Sequence, residues 1–283
     1  MDDLKALTAV LSKPEPSAEA VARSRSRLQD RMRRPVRRPF RRLVPVLGLT
    51  TAATVAAVVV IGTGATTTAG QPSSAREILL VAAASAERAP QGSGTYWHVR
   101  RQWQNTDIPQ MESWTSRDGR RWSKGEPGAP PGAVVPDPVP LMLKGAEVSF
   151  EDLERLPSDP EALKARLAER EGRDSNMSES EQRGEPTFPL LALISELPTP
   201  PEVRSAAFQA LATMPGVERT GTAEDGQELL IPDPDGRREI KLVVDPETAR
   251  VTRTNFLIGD DGSVGWTNGF ISVTTSWTDH APQ

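Results

Sequence analysis

No charged residue occurs between Leu43 and Ala75, and this gap constrains the chain more than any other feature of its sequence. Its first part, Leu43 to Ile61, reads LVPVLGLTTAATVAAVVVI. A helix of this length, at about 1.5 Å per residue, approaches the roughly 30 Å thickness of a bilayer core. Pro45 lies in the first turn of such a helix, where its missing N–H donor costs little. The sequence therefore predicts one transmembrane helix over residues 43–64.

A cluster of arginines precedes this segment and indicates its orientation. Residues 1–42 contain twelve Lys or Arg against five Asp or Glu, although the whole chain has a formal net charge of −4. Basic residues beside a membrane span are retained in the cytoplasm. We therefore expect a cell-membrane protein with a cytoplasmic N-terminus and an extracytoplasmic C-terminal domain. The topology-determining residues are Arg31, Arg33, Arg34, Arg37, Arg38, Arg41 and Arg42.

Two other interpretations of the apolar segment remain open. It could be a buried core helix, although few core helices follow so many arginines. It could also be a cleaved signal peptide, because Arg37-Arg38-Pro39-Phe40 loosely resembles a twin-arginine signal. The region before the segment is longer than a usual signal n-region, and no clear A-x-A cleavage site follows. With either a span or a signal, the C-terminal domain is exported.

The basic cytoplasmic tail, residues 1–42, has one apolar stripe that suits a protein partner. Leu4, Leu7 and Leu11 recur at helical spacing, and a second amphipathic segment follows from Ser17. Segments this short cannot bury their apolar faces on each other, so they are disordered or docked on a partner. The alternative is a solvated tail whose arginines only fix topology and touch anionic lipid. Direct binding of nucleic acid is not expected, because the basic cluster has no interleaved aromatic residues.

Residues 65–75 predict a flexible spacer, and residues 76–283 predict the exported domain. Ser74 is the expected N-cap of a first helix that ends before Pro90. Alternation over 95–104 and an Asp118-Gly119 turn within 111–123 indicate a strand followed by a hairpin. The Pro- and Gly-rich stretch 126–140 is interpreted as a loop.

The second half of this domain predicts helices followed by strands. Short helices are expected over 150–156 and 160–171, and 172–185 is interpreted as a polar, charged and mobile loop insertion. Thr199-Pro200-Pro201-Glu202 has the form of a capping box that opens a helix ending at Pro215-Gly216. Period-two alternation then continues to Trp277. The expected fold class is α+β, a curved antiparallel sheet with helices packed on one face.

The residues that most enzymes and metal sites require are scarce. The chain has no cysteine, and its two histidines are His98 and His280. It contains no phosphate-binding glycine loop, no G-x-S-x-G and no H-E-x-x-H. Four aspartates occupy predicted hairpin tips, where Asp side chains commonly accept hydrogen bonds from the backbone of the turn. Calcium binding there stays open. These residues are Asp233, Asp235, Asp260 and Asp261. We expect neither an enzyme nor a bound cofactor or metal.

All six tryptophans follow the apolar segment. Most are expected in the core, but a sheet lined with tryptophan could also leave an apolar groove for a lipid or a peptide. The candidate groove residues are Trp97, Trp103, Trp114 and Trp122.

Several stretches of the chain resemble an actinobacterial family of single-pass membrane proteins of uncharacterised function. They are SAREILLVAAASAE, GTYWHVRRQ, LPTPPEVRSAAFQALATMPGV and VVDPETARVTRTNFLI. The helix ending in MPGV and the DPET turn are also similar to the half-barrel of lipoprotein carriers and of periplasmic regulators of anti-sigma factors. The tail MDDLKALTAVLS resembles those of partners of extracytoplasmic-function sigma factors, but it is very short and lacks zinc-binding His and Cys residues.

The resemblance implies a membrane-anchored sensor or regulator that contacts a sigma factor through its tail. The alternative is a membrane-tethered carrier of a lipid or another hydrophobic ligand.

Overall fold

The computed structural model describes residues 74–104, 106–170, 177–258 and 264–283. The predicted tail and membrane span lie outside these residues, as do the arginine cluster and Leu4, Leu7 and Leu11. Among the helices of the described part, none is long and apolar enough to cross a membrane. The described residues have a mixed α+β fold with a large antiparallel sheet and helices, as predicted from the sequence.

Within the described residues, nine strands form one sheet in the order β4-β3-β2-β1-β11-β10-β9-β8-β7. The sheet consists of two meanders, and its central pair joins the first strand to the last, with Tyr96 opposite Thr278 and Trp103 opposite Ile271. The strands of this sheet are β1 Tyr96–Trp103, β2 Met111–Ser116, β3 Arg121–Lys124, β4 Val134–Asp137, β7 Glu218–Ala223, β8 Gly226–Pro232, β9 Glu239–Asp245, β10 Arg250–Ile258 and β11 Val264–Thr278. A separate small hairpin pairs β5 Met142–Leu143 with β6 Ala146–Glu147.

The helices of the described part precede β1 or lie between β4 and β7, with a short β5–β6 hairpin before most of them. Helix α1 begins with a capping box, in which Ser74 Oγ accepts a hydrogen bond from the backbone N–H of Glu77, as the sequence predicts. The helices are α1 Ala75–Arg88, α2 Phe150–Glu154, α3 Pro160–Glu169, α4 Glu179–Gln182, α5 Thr187–Ser195 and α6 Pro201–Ala212.

The hydrophobic core lies between these helices and the β8–β10 part of the sheet. Every residue of α5 is buried, which explains why this segment is apolar all round. Alternate residues of β8 and β9 supply the other side of the core, because successive side chains of a strand point to opposite faces. The sheet therefore has a helix face, which carries Trp97 and contacts the helices, and an opposite outer face, which carries His98.

Two predictions about loops in the domain are wrong. Residues 126–140 include strand β4, which lies at the edge of the sheet and pairs Pro136 with Trp122. An edge strand tolerates proline because one side of it needs no ladder hydrogen bond. The polar stretch 172–185 includes helix α4, whose Ser180 and Glu181 are buried. The proline and glycine content of the first segment and the polar composition of the second explain why their sequences did not indicate regular structure.

Candidate functional site

A cavity of about 380 Å³ opens at one end of the sheet, between the helices and the strands. We call it the mouth cavity. It is bounded by the end of α1 and the segment after it, the start of α6, the β9–β10 turn and the ends of β1 and β11. Its lining residues are Ala86, Ala89, Pro90, Gly92, Ser93, Trp97, Thr199, Pro201, Arg204, Thr248, Ala249, Arg250, Thr275, Ser276 and Trp277.

The aromatic wall of the mouth cavity is held in place from several sides. Trp97 and Trp277 lie on neighbouring strands and meet edge to face, with ring centroids 5.5 Å apart. The guanidinium of Arg117 lies 4.1 Å from the centroid of the Trp277 ring, and Phe150 packs 5.4 Å from it. Gly92 approaches so closely that a Cβ there would lie 1.7 Å from Trp277 Cδ1. This part of the wall is therefore already ordered before anything binds.

The start of α6 lacks the capping box predicted at Thr199. The helix begins one residue later, with Pro200 as its N-cap and no side-chain hydrogen bond to cap it. The Oγ1 atom of Thr199 has no hydrogen-bond partner among the described residues, although this residue is only 8% exposed. The N–H groups of Glu202 and Val203 lie in the first turn, where no helix carbonyl can accept from them. A buried hydroxyl and an uncapped helix start thus meet at the wall of the cavity.

Arg204 places a positive charge at the same point. It lies in the first turn of α6, and its Nη2 donates one 3.3 Å hydrogen bond to the backbone carbonyl of Leu197. Burial lowers the pKa of Arg204 to about 10, and the neighbouring Arg250 cation acts in the same direction. The guanidinium therefore still carries its charge at neutral pH. Among the described residues that line the cavity, none is an Asp or a Glu.

A second, much smaller cavity of about 50 Å³ lies on the helix face of β1–β3. Arg101 and Glu196 form an ion pair in its wall, in which both side chains are largely buried. Trp97 Nε1 donates a 2.7 Å hydrogen bond to the Glu196 carbonyl, and Arg121 pairs with Asp137 at 3.2 Å. A space of this size holds a few water molecules but no larger ligand.

The four tryptophans of the predicted groove do not line one surface. Trp97 and Trp103 share the helix face of β1, whereas Trp114 and Trp122 form a cross-strand pair on the outer face. There the His98 ring stacks on Trp114 at 4.7 Å and its Nε2 lies 2.9 Å from Glu112 Oε2. Only Trp97 of the four borders the mouth cavity.

The two hairpin aspartates that the structure describes accept hydrogen bonds from nearby backbone N–H groups. The carboxylate of Asp233 accepts hydrogen bonds from the backbone N–H groups of Asp235, Arg237 and Arg238, at 2.9 to 3.1 Å. The carboxylate of Asp235 accepts from the N–H and the hydroxyl of Ser180. Asp260 and Asp261 lie outside the described residues. Within the described ranges, no group of three or more His, Asp or Glu side chains could hold a metal ion.

Sequence reasoning missed Thr199, Arg204, Arg250 and Trp277 as residues of one site. One available signal was the position of Arg204, because a cation in the first turn of a helix opposes the helix dipole. The other three could be assigned only after the sheet order had brought the β9–β10 turn and the end of β11 beside α6.

No family model, curated protein or solved structure matches this chain. The resemblance drawn from its sequence motifs therefore stays a prediction.

Proposed function

We propose that this chain is a membrane-anchored extracytoplasmic sensor. In this proposal the half-barrel-like domain binds a small ligand and the N-terminal tail contacts a cytoplasmic partner, an extracytoplasmic-function sigma factor. The observation that carries the proposal is the mouth cavity, whose volume of about 380 Å³ falls within the range of about 300–1,000 Å³ that is typical of small-molecule sites.

The walls of the cavity favour recognition of a specific ligand. Trp97 and Trp277 give an apolar surface, while Thr199 and Arg204 give polar groups that converge from one side. A largely apolar pocket with a few placed polar groups is the usual composition of a ligand site. The cavity also contacts α1, the first helix after the predicted span, so a ligand there would touch the element nearest to the membrane anchor in sequence.

The carrier alternative has less support from the geometry. A carrier of acyl chains needs an apolar channel, because charged groups in an apolar lumen are costly. On the helix face of β1–β3, however, the space beside the sheet holds the Arg101–Glu196 ion pair. The mouth cavity itself is bordered by the cationic Arg204 and Arg250.

Co-purification tests the regulatory half of this proposal. The full-length chain, tagged at its C-terminus, is extracted from membranes in mild detergent after crosslinking, beside a Leu4, Leu7, Leu11→Ala variant that keeps every charge of the tail. We expect a sigma factor to be enriched with the unaltered chain and lost from the variant. Equal recovery from both, or enrichment with neither, would contradict the proposed partner.

Protease accessibility tests the topology on which sensing depends. In intact cells stripped of their wall, added protease should degrade residues 76–283 and spare an epitope placed before Leu4. Protection of the C-terminal domain would overturn the proposed orientation, because the arginine cluster would then have failed to hold the N-terminus inside.

A further inference from the structure

Several features of the mouth cavity are unfavourable for the protein alone, and most of them involve positive charge. A guanidinium removed from water is costly unless a carboxylate or another anion pairs with it. Arg204 is half-buried, and its Nη2 donates one hydrogen bond to the neutral Leu197 carbonyl. It forms no ion pair with an Asp or Glu of the described part. The nearby cation of Arg250 adds like-charge repulsion.

The helix start adds to the same imbalance. Unsatisfied N–H groups give the first turn of a helix a partial positive charge, which repels a cation and attracts an anion. The N-cap of α6 is a proline that caps nothing through its side chain. Thr199, immediately before it, has a buried hydroxyl with no hydrogen-bond partner in the described part of the chain. Four groups that would each gain from an anion therefore lie around one cavity, and local conflicts of this kind concentrate at functional sites.

The rest of the cavity wall is apolar and favours a ligand with an apolar body. Trp97 and Trp277 form an apolar surface beside the cationic groups, and Pro90 and Ala89 extend it at the end of α1. Because Arg117, Phe150 and Gly92 already fix Trp277, little side-chain freedom is lost when a flat apolar group packs against it.

We propose that the mouth cavity binds a small organic anion. Its carboxylate or phosphate group lies against Arg204, Thr199 and the start of α6, and its apolar body packs on Trp97 and Trp277. This inference rests on the proposed sensing function, because it names the ligand class of the same cavity. Binding is nevertheless measured on the purified chain, so its outcome is separate from that of the sigma-factor experiment.

The binding test uses the full-length chain in detergent, with benzoate and phenyl phosphate as probes and benzamide as a neutral probe of similar shape. Titration calorimetry and tryptophan fluorescence report binding. We expect saturable binding of at least one anion, with benzamide weaker by about tenfold or more, since hydrogen bonds to a charged group exceed neutral ones by this margin. Benzoate and phenyl phosphate together distinguish a carboxylate site from a phosphate site.

Three variants locate the anion. Arg204→Met should weaken binding by about tenfold or more, and Thr199→Val by about threefold, the loss typical of one neutral hydrogen bond. Arg166→Met is the matched control, because Arg166 is an exposed arginine of α3 outside the cavity, and its affinity should equal that of the unaltered chain. If Arg204→Met does not fold, the Thr199→Val variant keeps the test decisive.

A stability measurement separates binding from a structural role of Arg204. In anion-free buffer Arg204→Met should melt at or above the temperature of the unaltered chain, because a half-buried charge without a carboxylate partner is removed. Phenyl phosphate should raise the melting temperature of the unaltered chain alone.

Four results would overturn the proposal. They are equal affinity for benzamide and benzoate, unchanged binding by Arg204→Met, no binding of either anion in the millimolar range, and a phospholipid extracted from the unaltered chain but not from Arg204→Met. The last result would assign the anionic group to a lipid headgroup.

Discussion

The ion pair between Arg101 and Glu196 allows a quantitative test of the packing between the sheet and the helices. Their side chains are 14% and 7% exposed, and Arg101 Nε lies 3.3 Å from Glu196 Oε1 in addition to the closer contact through Nη2. Removing one partner of a buried pair leaves an uncompensated charge, at a cost of about 3–5 kcal/mol. Because both side chains keep some contact with water, we expect the lower end, about 3 kcal/mol, for Arg101→Met or Glu196→Gln alone.

Thermal and urea unfolding of the full-length chain in detergent measure this cost. For a domain of this size, 3 kcal/mol corresponds to a fall in melting temperature of roughly 6–12 °C. The double variant should cost about 4 kcal/mol, less than the sum of the two single losses, which corresponds to a coupling free energy of about 2 kcal/mol between the two sites. The exposed pair Arg155–Glu151, at 68% and 69% exposure, is the control, and Arg155→Met should cost less than about 0.5 kcal/mol. Additive single losses, or single losses as small as the control, would refute the buried pairing.

Three further predictions concern single residues. Burial lowers the pKa of His98 below 6.5 despite the opposing Glu112 carboxylate. The unfolded chain therefore binds a proton at His98 more readily than the folded chain does. The free energy of unfolding should fall as the pH drops from 6.5 towards the lower pKa of the folded state. His98→Gln should flatten that decline in urea unfolding, and an unchanged slope would contradict the assignment. Lys144 caps the end of α3 by donating two 2.9 Å hydrogen bonds to the carbonyls of its last turn. Lys144→Met should therefore lower the unfolding free energy by about 2 kcal/mol in the same urea assay, and no change would rule out the capping role. Gly92→Ala must displace the Trp277 ring, because the added Cβ would overlap it. This should cost about 1–3 kcal/mol of unfolding free energy and alter the near-UV circular dichroism. The control variant Ser93→Ala should preserve the spectrum.

Elements that depend on local periodicity could be predicted from the sequence. The helix after Ser74, the strand containing Trp97 and the hairpin at Asp118-Gly119 all lie where their patterns indicate. In each case the deciding information is within a few residues, as a capping box, an alternation or a turn that needs a glycine at positive φ.

Features that depend on distant contacts could not be predicted in this way. Strand β4 contains Pro136 and becomes a strand only because β3 accepts it at the edge of the sheet. Thr199 has the sequence of a cap, yet the helix begins after Pro200 and leaves its hydroxyl unpaired. Trp97 and Trp114 lie on opposite faces because β1 and β2 pair His98, not Trp97, with Trp114. The mouth cavity therefore could not be located before the sheet order was known.

The pairing of β1 with β11 has a consequence for how the protein is made. In the described sheet, β1 connects the first meander to the second through β11, which ends at Thr278, so synthesis must reach Thr278 before the two meanders can join fully. Contacts this remote in sequence slow folding. Until β11 is complete, the first meander keeps an open strand edge at β1, which is prone to pair with other chains. A chaperone that covers this edge until β11 arrives would therefore limit aggregation while the protein folds.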